Sequence, residues 1–176
     1  MPMFRDSTMR WGLVASVTGS FLLAMSVSSQ AADSGCAAVR AAVALQSKSP
    51  FHATVSSASA QGASTPAAKS EMVWIDNTLY LQMGGRWVGG PMPPERALVG
   101  VTGGNLPFSE CKQLAGATIS GQATTVYSAV MQSGEHVQLF ISSSSGQLLR
   151  ETLDVRMTNV TVDFEYTNVR APALSK

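Results

Sequence analysis

Charge is scarce in this sequence. Asp, Glu, Lys and Arg make up 13% of its 176 residues, and the signs nearly cancel, with twelve basic side chains against eleven acidic ones. No stripe of Lys and Arg runs along the chain. That excludes the electrostatic footprint of a nucleic-acid binder and docking on anionic lipid through charge. Histidine is scarcer still. His52 and His136 lack the spacing of zinc ligands, and no G-x-S-x-G motif accompanies them. His136 stands beside Glu135 in an expected turn. A hydrolytic site needs a nucleophile, a base and an orienting group brought together, and no such set can be assembled. The expectation is a protein that is not an enzyme and holds no metal or cofactor.

Long apolar runs are missing too, with one exception. From Trp11 to Val27 the chain is apolar with small residues interspersed, preceded by Arg5 and Arg10 and followed by Ser28-Ser29-Gln30-Ala31-Ala32. Positive charge, an apolar run and then small residues form the pattern of a secretory signal. The cut is expected after Ala31 or Ala32, so 1–32 is the signal peptide and 33–176 a single domain. As a membrane anchor the run falls short of the roughly 20 residues a span requires, and Thr18, Ser20 and Ser26 weaken it. No stable membrane anchor is expected. Lipid attachment at Cys36 is disfavoured because Asp33 occupies the position three before it, where an aliphatic residue is usual. Removing 1–32 takes away Arg5, Arg10 and Asp6. Ten basic residues then face ten acidic ones, from twelve and eleven in the whole chain. The chain has two cysteines, Cys36 and Cys111, without C-x-x-C spacing. In an exported protein an isolated pair forms a disulfide.

What remains is rich in strand patterns. Ser34 to Ser47 reads as a short helix, capped by Asp33 or Ser34, with Cys36, Val39 and Val43 on one face and Pro50 as its stop. Phe51, Ala53 and Val55 then alternate with polar residues. Ser56 to Ala68 is low in complexity and reads as a mobile loop. Runs at 71–75 and 78–83 flank Asp76-Asn77, a hairpin signal. Gly84 to Pro94 reads as irregular, and Pro93-Pro94 as the opening of a second short helix that ends at Gly103-Gly104. Runs near 111–119, 123–132, 135–142, 146–156 and 160–168 form an antiparallel meander. In the last, Val160, Val162, Phe164 and Tyr166 share one face, while Asp163 and Glu165 lie on a wet one. Glu151 interrupts the apolar row of Leu149, Leu153 and Val155. Either it marks a rim where the carboxylate reaches water, or it lies inside a ligand cavity. The rim is the commoner situation, because glutamate is rarely fully buried. The fold class is α+β: a curved antiparallel sheet of about seven strands, an open half-barrel covered by one or two short helices.

Three stretches, MVWIDNTLYLQ (72–82), YSAVMQSGEHVQLFISSSSGQLLRETLDV (127–155) and VTVDFEYTNVRAP (160–172), resemble the periplasmic carrier superfamily for outer-membrane lipoproteins, the LolA/LolB-like half-barrels. The resemblance covers most of the mature chain. It implies a hydrophobic interior that holds acyl chains, or a sensing module of the cell envelope, in a periplasmic monomer. None of the carrier's functional residues falls on a matching position, and the shorter mature chain makes transport of whole lipoproteins doubtful. The candidate ligand contacts are therefore chosen by chemistry: Met72, Trp74, Met83, Trp87, Met92 and Phe140, since methionine and aromatic side chains adapt to irregular apolar ligands. Such residues also build ordinary cores. The glycine-flanked loop bearing Trp87 and Met92 is the expected gate. A lipid or acyl chain is the expected partner, and an envelope protein the alternative.

Overall fold

Helix α1, Val27–Gln46, is the first element of the computed structural model, which describes residues 27–59, 68–93, 108–155 and 158–174. Alanine supplies helix propensity throughout. Cys36, Val39, Ala42 and Gln46 recur at helical spacing and are buried, while Arg40, Ala41 and Ala44 face out. The Ser47 hydroxyl donates to the Ala44 carbonyl at 2.8 Å, and the Ser49 hydroxyl to that of Leu45 at 3.1 Å. Pro50, which cannot donate a backbone N–H, then turns the chain into strand. The helix is longer than the sequence suggested, because its first residues belong to the expected signal segment. The rest of that segment, 1–26, lies outside the described residues. None of the described helices is long and apolar enough to cross a membrane.

Ten strands follow among the described residues, three more than expected. They are β1 (Phe51–Ser59), β2 (Ala68–Ile75), β3 (Thr78–Met83), β4 (Arg86–Pro91), β5 (Ser109–Gln113), β6 (Ala117–Ile119), β7 (Gln122–Val130), β8 (His136–Ser142), β9 (Leu148–Val155) and β10 (Thr158–Glu165). Two sequence readings are corrected here. The expected loop at 56–68 is strand at both ends, since Ser56 and Ser57 pair with Lys69 and Ala68 and leave only 60–67 outside the described residues. The stretch from Gly84 is not irregular either. Gly84 and Gly85, with φ of 57° and 78°, form the tight turn that folds β4 back on β3. Asp76 and Asn77 do the same for β2 and β3, with φ of 51° and 56°. The second helix expected after Pro93 lies outside the described residues.

The strands form one open antiparallel sheet in the order β4-β3-β2-β1-β10-β9-β8-β7-β5, with β6 also on β7. Two meanders thus meet at the β1–β10 pair, where Ala53 opposes Phe164 and Val55 opposes Val162. The helix packs mainly on β5 and touches β7, β8 and β9, so it covers one end of the inner face. Cys36 and Cys111 form the disulfide that ties it there, with Cα atoms 5.0 Å apart. Gly35 makes the approach close: a Cβ on it would sit 2.8 Å from the Cys111 carbonyl oxygen.

Candidate functional site

Alternation along each strand sends odd and even residues to opposite faces, and the register stacks the apolar ones into cross-strand rows. One inner row runs Val88, Leu81, Met72, Ala53, Phe164 from β4 to β10. A second runs Val55, Val162, Glu151, Leu139, Tyr127. Phe51 anchors the middle. Its ring stacks on Trp74 with centroids 6.2 Å apart and meets Phe164 edge-on at 5.6 Å, joining β2, β1 and β10. Toward β3 and β4 the inner face opens: the pair Leu81 and Val88 is 36% and 48% exposed.

Glu151 corrects the rim expectation. β9 is central, between β8 and β10, and the side chain is 0% exposed between Leu139 and Val162. Neither carboxylate oxygen has a hydrogen-bond partner among the described residues. Burial away from water pushes its pKa up to about 8, so at neutral pH it is mostly the uncharged acid. Its neighbour Arg150 gives no help, because it faces the other side and its Nε donates to Asp163 Oδ1. Gln46, on the last turn of α1, is likewise 0% exposed with both amide atoms unpaired among the described residues. Tyr166 is satisfied: its hydroxyl donates to the Leu148 carbonyl at 2.7 Å, and burial raises its pKa.

The structure divides the residues singled out in the sequence. Met72 and Trp74 are buried on the inner face, and Met92 packs against them, its carbonyl accepting a hydrogen bond from Trp74 Nε1 at 3.4 Å. Met83 is 64% exposed beside the β3–β4 turn. Phe140 alternates with the buried Leu139 and Ile141 and so faces outward, half-buried. Trp87 lies in strand β4 rather than a loop, opposite Gln82 on the outer face. There it lines a surface pocket of about 420 Å³ with His52, Val73 and Arg170. His52 Nε2 stands 3.3 Å from Glu71 Oε2 beside that pocket. The expected gate is thus split, with Trp87 outside and Met92 inside. Sequence reasoning passed over Gln46, Leu81 and Val88. Gln46 continues the 36, 39, 43 spacing of the helix, and Leu81 follows Leu79 at period two, so the same patterns pointed to both. No group of three or more His, Cys, Asp or Glu among the described residues could hold a metal ion.

Comparison with known proteins agrees with this architecture. No protein-family model and no curated protein matches the sequence. Among solved structures, the chain is similar to LprF from Mycobacterium bovis, at 15% identity and TM-score 0.54, over 80% of this chain and 97% of that one. It is also similar to the lipoprotein LppX of Mycobacterium tuberculosis, at 12% identity and TM-score 0.51, over 80% and 99%. A LolA superfamily protein from Nitrosomonas europaea aligns over 83% of this chain and 98% of its own, at 9% identity and TM-score 0.30. The fold is the one shared with LprF and LppX: an open, curved antiparallel sheet with a helix across its inner face.

Proposed function

We propose that this chain is an exported periplasmic protein that binds a lipid or other amphiphile on the inner face of its half-barrel, without catalysis. In this reading the segment 1–32 is removed on export and the remainder acts as a monomer. The supporting observation is the inner apolar row, which runs from the buried Phe164 and Met72 to the exposed Leu81–Val88 pair at the β3–β4 edge. An acyl chain laid along that row gains about 0.8 kcal/mol for each methylene it buries, enough to hold a modest chain without polar contacts. LprF and the lipoprotein LppX share the open sheet that carries this row.

The test is the lipid content of protein purified from a bacterial periplasm, by native mass spectrometry and organic extraction. A stoichiometric acyl ligand, lost on delipidation and regained from added lipid, is the expected result. Clean apo mass with no uptake of fatty acid or phospholipid would overturn the reading. A second reading has its own observation: β4 has no strand beyond it among the described residues. A free edge can accept an added strand from an envelope protein, and clean apo mass would turn the search there.

A further inference from the structure

Two polar side chains inside an apolar layer are not explained by amphiphile binding in general. Glu151 and Gln46 are each 0% exposed, and all four of their terminal oxygen and nitrogen atoms lack a partner among the described residues. Gln46 ends α1, and Glu151 is the fourth residue of β9. The last turn of α1 lies over the β8–β9 turn, since a Cβ on Gly146 would come 4.0 Å from Leu45 Cδ2. Gln46 is the next residue, and the helix touches β9 itself. Buried polar groups are paired as a rule, and those that are not call for a missing partner.

The chemistry of that partner can be narrowed. Leu139 and Val162 flank Glu151 in its row, and the adjacent cation, Arg150, bonds Asp163 on the outer face. With no cation hydrogen-bonded to Glu151 or Gln46 among the described residues, an ionised phosphate or carboxylate headgroup would be buried without a counter-charge from them, which is costly. An uncharged group suits it. A neutral carboxyl donates one hydrogen bond and accepts others, and a primary amide does both. Hydroxyl and ester oxygens complement that set.

We propose that Glu151 and Gln46 form a buried polar anchor for the hydroxyl or ester group of a neutral lipid whose chain lies along the inner face. This rests on the amphiphile reading above and adds a headgroup class to it. The anchor selects uncharged oxygen-bearing lipids over ionised ones.

The experiment compares delipidated wild type, Glu151→Leu, Glu151→Gln and Gln46→Leu. Each is titrated with monooleoylglycerol, with oleate, and with octadecene as a chain lacking oxygen, and thermal melts check that each variant folds. Wild type should bind monooleoylglycerol in preference to oleate. Glu151→Leu and Gln46→Leu should each weaken monooleoylglycerol binding about tenfold while leaving octadecene unchanged or tighter. Glu151→Gln, which keeps a donor and an acceptor, should stay near wild type. Equal monooleoylglycerol affinity in wild type and both Leu variants would overturn the anchor, as would equal weakening of both uncharged probes. Oleate bound as tightly as monooleoylglycerol would overturn the neutral class. Wild type that takes up no probe at all would overturn the amphiphile reading itself.

Discussion

A carboxyl group buried among leucine and valine makes folding sensitive to pH. Glu151 has its pKa raised by burial from 4.5 to about 8. Below pH 4.5 the acid is protonated in both the folded and the unfolded chain, and its contribution does not vary. Between 4.5 and about 8 the unfolded chain releases the proton and the folded one keeps it. Stability then falls by up to about 1.4 kcal/mol per pH unit, and the loss is complete above 8. Urea midpoints should therefore drop from pH 5 to pH 8 in the apo protein. Glu151→Leu should flatten that slope and raise the midpoint at pH 8, because an apolar side chain replaces an unsatisfied polar one. An unchanged slope would mean that water or another group reaches the carboxylate. The sequence showed Glu151 interrupting an apolar row but left rim and interior open. Alternation within a strand tells which face a residue takes, not whether the strand is at an edge, and only the pairing of β9 with both β8 and β10 decides that.

At the scale of elements, packing of α1 on β5 depends on a missing side chain. A Cβ on Gly35 would stand 2.8 Å from the Cys111 carbonyl oxygen, a backbone atom with little room to retreat. Gly35→Ala should therefore cost about 1–3 kcal/mol, the usual range for overpacking, despite alanine's better helix propensity. Chemical denaturation measures it, and a stabilised variant would show that the helix rides further from the sheet. The same scale shows what local pattern could and could not reveal. Asp76-Asn77 between apolar runs announced its hairpin, and Val160 to Tyr166 announced their strand. β4 was hidden because Gly89, Gly90 and Pro91 make half of it and carry no strand propensity of their own. Pairing supplies it: Gly89 lies opposite Tyr80, where a Cβ would come 2.7 Å from the ring, so the aromatic side chain fills the space a side chain there would need.

Across the whole molecule, the helix is held over the inner face by the Cys36–Cys111 bond. Replacing both cysteines by alanine should lower stability by about 4 kcal/mol in the chain-entropy account. It should also loosen the cover at the β5 end, so retention of lipid bound as proposed should fall along with the denaturation midpoint. Full retention of lipid in the double variant would show that the helix does not guard the interior. The half-barrel character was legible because the strands are amphipathic and one short helix is little cover. The number of strands was not, because long-range pairing sets how far each strand runs.

The strand order has a further consequence. β10 is the final strand in chain order, yet it stands at the centre of the sheet, between β1 and β9. His52 opposes Glu165, and the partners lie far apart along the chain. Until β10 emerges, β1–β4 and β5–β9 are separate ribbons with no shared ladder, each exposing half of the inner face. A chain emerging from its N-terminal end, from a ribosome or across a membrane, therefore cannot complete this sheet early. Its two halves stay unjoined until the β10 segment has emerged.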